Sequence, residues 1–234
     1  MKLGRIVANV TWGLLSIILS GVIFRICSDN KTYRQAKGIS VYGPSNTITI
    51  PDDWTKYEFI NSYVFSVPDK MELRHDYDVY TRWLAEGLGF ISSADAVFQQ
   101  KDLSSFSAEA KDTYARILMQ HYSISYGEVD HFYEYPSLEE EDKLALNEMV
   151  EGEVSPCSFI DLPKWRVIDL SGTKAIEGTY RRTGFEGPVK CKFYLLSNYN
   201  EMVKVIVAYR EKDSDIWEED LNKVIYSFKW KNPQ

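Results

Sequence analysis

The sequence predicts an α+β fold: an antiparallel sheet with flanking helices, preceded by one N-terminal transmembrane helix. Three features carry that expectation. Ile6–Phe24 is largely apolar and free of charge for 19 residues. Two neighbouring segments near the C-terminus alternate strictly, the first through Val189, Cys191, Phe193 and Leu195, the second through Val203, Val205, Val207 and Tyr209. A closing segment instead spaces Trp217, Leu221, Val224, Ile225 and Phe228 as a helix does. Recurrence at two belongs to strands, and recurrence at three and four to helices.

The chain of 234 residues divides into an anchor (1–25), a polar linker (26–46) and one α+β domain (47–234). As a helix, Ile6–Phe24 spans roughly 28 Å, close to the hydrocarbon thickness of a bilayer. Its Thr11, Ser16 and Ser20 hydroxyls can return to the helix backbone. A cleaved signal peptide is the competing reading. Its apolar core would be shorter, about 7–15 residues, and followed by small residues. Arg25 and Ile26 follow here, which favours a retained anchor and argues against lipidation at Cys27. Arg25, Lys31, Arg34 and Lys37 follow the span, whereas Lys2 and Arg5 precede it. Counting bases favours a cytoplasmic C-terminal side. The short basic start before an apolar run looks instead like an export signal, so a single-pass anchor with an extracytoplasmic domain is expected.

Along the domain, Thr47–Ile50 reads as a short strand ended by Pro51. Tyr57–Val67 holds Tyr57, Phe59, Tyr63, Phe65 and Val67 on one parity, broken by an Asn61–Ser62 turn. Residues 69–93 are irregular, with a short helix near Tyr80–Gly87. Ala96–Leu103 and Tyr114–Ile124 read as strands, the latter with Ala115, Ile117, Met119 and His121 on one face. Pro136–Val150 is a helix, since Ser137 and Glu140 have the spacing of a capping box. Trp165–Leu170, Ala175–Thr183, Pro188–Leu196 and Glu201–Arg210 follow as strands. Turns at Gly184–Gly187 and Ser197–Asn200 make the last three an antiparallel meander with one buried face. The final helix begins near Asp213–Asp215, with acids early and Lys223 and Lys229 late, as the helix dipole favours.

Residues 174–230, with their Gly-turn hairpin, polar turn and helix carrying Trp217, Leu221, Val224 and Ser227–Phe228, resemble the PsbP-like fold. The Phe65-Ser66-Val67-Pro68 end of the early hairpin fits the same pattern. The resemblance implies an α/β/α sandwich around an antiparallel sheet. Members of that fold are mostly non-enzymatic binding or assembly proteins, in photosystem, nuclear-import and bacterial envelope settings. It implies a style of function, names no partner and carries over no functional residues.

The charge narrows the function. The first 25 residues hold three bases and no acid, leaving 24 bases against 34 acids in the remainder. A domain this acidic is poorly suited to neutralising nucleic-acid phosphates, and no nucleic-acid partner is expected. Cys27, Cys157 and Cys191 include no CxxC and cannot alone make a four-ligand zinc site. Cys157 and Cys191 could pair, but two separate buried thiols are the expectation. His75, Asp76 and Asp78 cluster in one segment, and Asp130–His131 could join His121 as an acid–base pair. A solvated loop and a hydrogen-bonded core histidine are the favoured readings of these. Glu139–Asp142 reads as a helix start facing solvent. No nucleophile elbow, phosphate-cradling glycine loop or HExxH is present, and no cofactor or metal is called for.

One surface has geometric support. A Gly184–Gly187 turn sets Arg181 opposite Lys190. Inward valines in the next hairpin set Lys192 opposite Lys204, and these four bases then share the outer sheet face. Like charges opposed across strands are unfavourable. An acidic protein or anionic ligand would offset them; so would Glu177, or a covering helix bearing acids. The expected function is a membrane-tethered, non-catalytic binding or assembly module. The alternatives are a metal-dependent or hydrolytic enzyme using His75, Asp76, His121 or Asp130 with His131, and a structural envelope spacer.

Overall fold

The computed structural model describes residues 48–59, 62–74, 94–104, 107–123, 138–154, 157–170, 172–184, 186–198 and 200–232. Among them no helix is long and apolar enough to cross a membrane. The expected anchor, the linker and the short helix near Tyr80–Gly87 lie outside these residues.

The strands are β1 (Thr55–Phe59), β2 (Tyr63–Val67), β3 (Met71–Leu73), β4 (Ala96–Gln100), β5 (Ala115–Ser123), β6 (Phe159–Leu170), β7 (Thr173–Arg182), β8 (Val189–Asn198), β9 (Glu201–Arg210) and β10 (Lys229–Trp230). The helices are α1 (Ala108–Asp112), α2 (Glu140–Val154) and α3 (Ser214–Tyr226), the last entered through a 3-10 turn at Glu211–Asp213. An antiparallel seven-stranded sheet runs in the order β3-β4-β5-β9-β8-β7-β6, and a small sheet in the order β1-β2-β10.

The expected strands from Tyr57 onward form, with shifted ends. Residues 48–50 carry no strand, and the following Pro51 has no N–H to give a ladder. α2 starts later than predicted and runs four residues further, to Val154. Ser137 lies outside the described residues, and Asp142 Oδ2 accepts from the Glu139 N–H at 3.0 Å. α1, β3 and β10 were not predicted, being too short for periodicity to register. α1 does carry a local start signal: Ser107 Oγ accepts from the Ala110 N–H at 3.0 Å.

The meander was expected to bury one face, and it buries both. In β8 and β9 both parities are apolar, so each face needs a cover. On one face Val203, Val205, Val207, Tyr194 and Leu196 pack beneath α3 and the small sheet. On the other, Val189, Cys191, Phe193, Leu195, Ile206 and Ala208 pack beneath α2. The small sheet contributes an aromatic stack: Tyr63 lies 5.2 Å from Phe228 and 6.0 Å from Trp230, ring centre to ring centre. The stripe predicted for the last helix, Trp217, Leu221, Val224, Ile225 and Phe228, is buried throughout.

Gly178 is required by packing. It pairs with Trp165 across β6 and β7, and a Cβ there would lie 2.3 Å from the indole Cζ3. The indole is held in place by its own N–H, which donates to Asn147 Oδ1 of α2 at 2.8 Å.

Candidate functional site

The observed register separates the four bases predicted to share one face. Arg181 does pair with Lys190. Lys192, however, lies opposite Thr179 and Val207, and Lys204 opposite Leu195. β8 and β9 close through a two-residue turn, Asn198 pairing with Glu201, which shifts the ladder by an odd number from the expected register. In a strand an odd shift moves a side chain to the opposite face. Arg181, Lys190 and Lys192 therefore lie under α3, and Lys204 lies under α2.

Each of them meets a partner. Arg181 donates to Asp161 at 2.5 Å and to Glu211 at 2.9 Å. Lys190 donates to Glu218 of α3 at 3.3 Å, and Lys192 to Asn222 of α3 at 2.6 Å. Lys204, only 7% exposed, donates to Glu153 of α2. Burial lowers the Lys192 pKa, against the pull of Glu177 and Glu218. Glu177, also buried, accepts from Arg166 at 2.5 Å. Both offsets foreseen for opposed bases, an interleaved Glu177 and a covering helix with acids, are thus present.

Arginines gather at the other end of the α2 face. Arg210 of β9 and Arg182 of β7 both pair with Val189 of β8, so they stand in one row across the sheet. Arg116 of β5 pairs with Ala208, one step along the same face. All three guanidiniums surround the Tyr114 ring, at 5.3 Å for Arg116, 5.5 Å for Arg182 and 5.7 Å for Arg210. Arg210 is buried and fixed: Nε and Nη2 donate to Lys111 O at 3.0 and 2.6 Å, and Nη1 to Gly187 O at 2.7 Å. Arg182 donates to the Tyr114 hydroxyl at 3.2 Å, to Thr183 O at 3.0 Å and to Cys157 Sγ at 3.4 Å. Burial first, and the Arg182 charge with it, lower the Arg210 pKa. Sequence reading missed this group, because only the register brings residues from three strands onto one ring.

His121 lies on the predicted face of β5. Its backbone N–H donates to Asp95 at 2.5 Å, and its Nε2 lies 3.4 Å from Glu201 Oε1 without hydrogen-bond alignment. Glu201 accepts from Ser62 at 2.7 Å, and Tyr63 lies 6.3 Å from the imidazole, ring to ring. The group joins the small sheet to β5 and β9. His75, Asp76, Asp78, Asp130 and His131 lie outside the described residues. Among the described residues no three His, Cys, Asp or Glu side chains are grouped to hold a metal ion. Cys157 and Cys191 are both free thiols, and burial pushes Cys191 up to about 11.

The remaining conspicuous feature is apolar. β6 is an edge strand whose pairing with β7 is interrupted on both sides of Asp161, with Pro163 inside the second interruption. There Leu162 is 68% and Ile160 41% exposed. Leu144 of α2 is 62% exposed and sits one turn before Asn147, which binds Trp165 of β6. Ile160 and Leu162 thus stand exposed on the interrupted part of β6, and Leu144 on the helix that packs against that strand.

No protein-family model and no curated protein matches the chain. Solved structures do. The solution structure of cyanobacterial PsbP (CyanoP) from Synechocystis sp. PCC 6803 superposes with a TM-score of 0.50 at 12% identity, over 86% of this chain and 98% of that one. The fold is PsbP-like. The sequence resemblance rested on residues 174–230, and the structural likeness extends well beyond them. LpqN of Mycobacterium tuberculosis, described as involved in cell envelope biogenesis, matches with a TM-score of 0.41 at 9% identity, over 77% of this chain and 87% of that one.

Proposed function

We propose that this protein is a membrane-tethered binding or assembly module, held by a helix at Ile6–Phe24, with an extracytoplasmic domain that docks a protein partner through the α2–β6 corner. The observation that carries it is the exposure of Ile160 and Leu162, two residues apart on an interrupted edge strand, with Leu144 exposed on the helix that packs against that strand. Single exposed leucines are ordinary, but neighbouring exposed apolar side chains on an edge strand suit an interaction surface. Pro163 and the interrupted ladder oppose strand addition along β6, so the partner contacts side chains rather than extending the sheet. The uncharged length of Ile6–Phe24 supports the tether, and its short basic start supports export.

The test uses the full chain in its native membrane. Resistance to alkaline extraction, lost when residues 6–24 are deleted, reports the tether. Protease access in sealed membranes reports the side. Co-purification after cross-linking is compared between the wild type and an Ile160→Asp/Leu162→Asp variant. The proposal expects a discrete partner that the double variant loses while its Tm is retained. An unchanged partner profile would overturn the docking corner.

A further inference from the structure

We propose that Tyr114, Arg116 and Arg182 form a binding site for a phosphate-type oxyanion, independent of the α2–β6 corner. The six described arginines fall into two sets. Arg74, Arg166 and Arg181 each have a carboxylate within ion-pair distance. Arg116, Arg182 and Arg210, gathered on one ring, have none among the described residues. In a domain with twelve more acids than bases, three like charges brought together and left without a counter-charge are exceptional. Of the carboxylates acting on Arg210, Asp112 is held by Lys212 at 2.5 Å, and Glu186 lies on the turn before β8.

The three side chains divide the task. Arg210 is locked onto two backbone carbonyls and supplies fixed positive charge beside the ring. Arg182 is braced by the Tyr114 hydroxyl, Thr183 O and Cys157, which sets the direction of its fork. Arg116 lies over the ring, and its guanidinium N–H groups have no hydrogen-bond partner among the described residues. It is half-buried and can turn its fork toward a ligand. Two guanidiniums on β5 and β7 with a phenol between them suit an oxyanion, because the planar guanidinium fork matches paired oxygens. A phosphate monoester near neutral pH carries roughly −1.5 to −2, which answers a cluster of this charge better than a single carboxylate does. The phosphate could belong to a soluble ligand or a lipid headgroup.

Cys157 makes the site readable, since its thiol touches Arg182 while Cys191 is buried. The full chain is placed in phosphatidylcholine nanodiscs, and alkylation of each cysteine by iodoacetamide is followed by peptide mass spectrometry. The probes are inorganic phosphate, chloride at matched ionic strength, and discs containing phosphatidic acid. Saturable slowing at Cys157 by phosphate assigns a soluble ligand; slowing only in phosphatidic acid discs assigns a lipid headgroup. In either case Arg116→Gln should weaken the effective probe by about tenfold, the loss expected for one charge-assisted hydrogen bond, at unchanged Tm. Rates indifferent to both probes, slowing equal to that by chloride, or an Arg116→Gln variant protected like the wild type would overturn the site.

Discussion

The two covers of the large sheet differ in how much apolar area they bring. On one face α3 and the small sheet press Tyr63, Phe65, Trp217, Leu221, Phe228 and Trp230 into the core, with rings stacked against rings. On the other, α2 offers Leu146, Val150 and Val154, and adds polar ties from Lys204 to Glu153 and from Trp165 to Asn147. A cover held by apolar area resists change, because each lost methylene leaves a cavity. Both covers carry polar ties, since α3 also takes Lys190 on Glu218 and Lys192 on Asn222, but the α2 cover has fewer buried apolar side chains behind them. The unpaired arginines and the exposed apolar corner both belong to the α2 side. The contrast assigns stability to the α3 face and recognition to the α2 face.

The comparison can be broken first where the effect is largest. Phe228→Ala removes a buried ring at the junction of α3 and the small sheet, and should lower the unfolding free energy by about 3–5 kcal/mol in denaturant titration. A much smaller loss would remove the aromatic cover from its place in the account. On the α2 side, Glu153→Gln leaves the buried Lys204 charge unanswered and should cost about 3 kcal/mol. Lys204→Met should cost clearly less, because the Glu153 side chain, 30% exposed, can turn to water. Equal losses would show that the pair is not a buried charge with one wet partner. Gly178→Ala drives a methyl into the Trp165 indole and should cost about 1–3 kcal/mol. Pairing it with Trp165→Leu should cost less than the two changes added together, which a double-mutant cycle checks.

The smallest effect is a pH dependence. Burial pulls the Glu218 carboxyl upward, but hydrogen bonds from Lys190 and Tyr209 outweigh it and leave its pKa below the usual value. A carboxyl lowered on folding contributes stability above its unfolded pKa, about 4.3, and loses that contribution as pH falls through the folded value. Glu218→Gln should therefore flatten the acid side of the stability profile and leave the neutral side nearly unchanged. Glu218 is 41% exposed, so the effect is below about 1 kcal/mol.

The elements were legible where periodicity was long. β9 and the buried stripe of α3 follow from spacing alone, and the Gly184–Gly187 turn fixed the Arg181–Lys190 pair. Face assignment failed one hairpin later, because Ser197–Asn200 could close with more than one register and both parities of β8 and β9 are apolar. Nothing in Lys192 or Lys204 reveals which side each takes. Lys204 is hidden because its counter-charge, Glu153, comes from a distant helix. The Tyr114 cluster was illegible for a related reason: Arg116, Arg182 and Arg210 are separate in sequence and meet only once β5, β9, β8 and β7 are in order. Ile160 and Leu162 fell before the expected Trp165–Leu170 strand, because the bulges break the alternation that would have extended it to Phe159.

The division between the faces is tested most directly by photo-cross-linking the full chain in its native membrane, with a photoreactive residue at Leu162 or at Ile216, an equally apolar residue of α3 that is 53% exposed. The account predicts a discrete adduct from position 162 and none from 216. An adduct from 216 alone, or the same adduct from both, would contradict it.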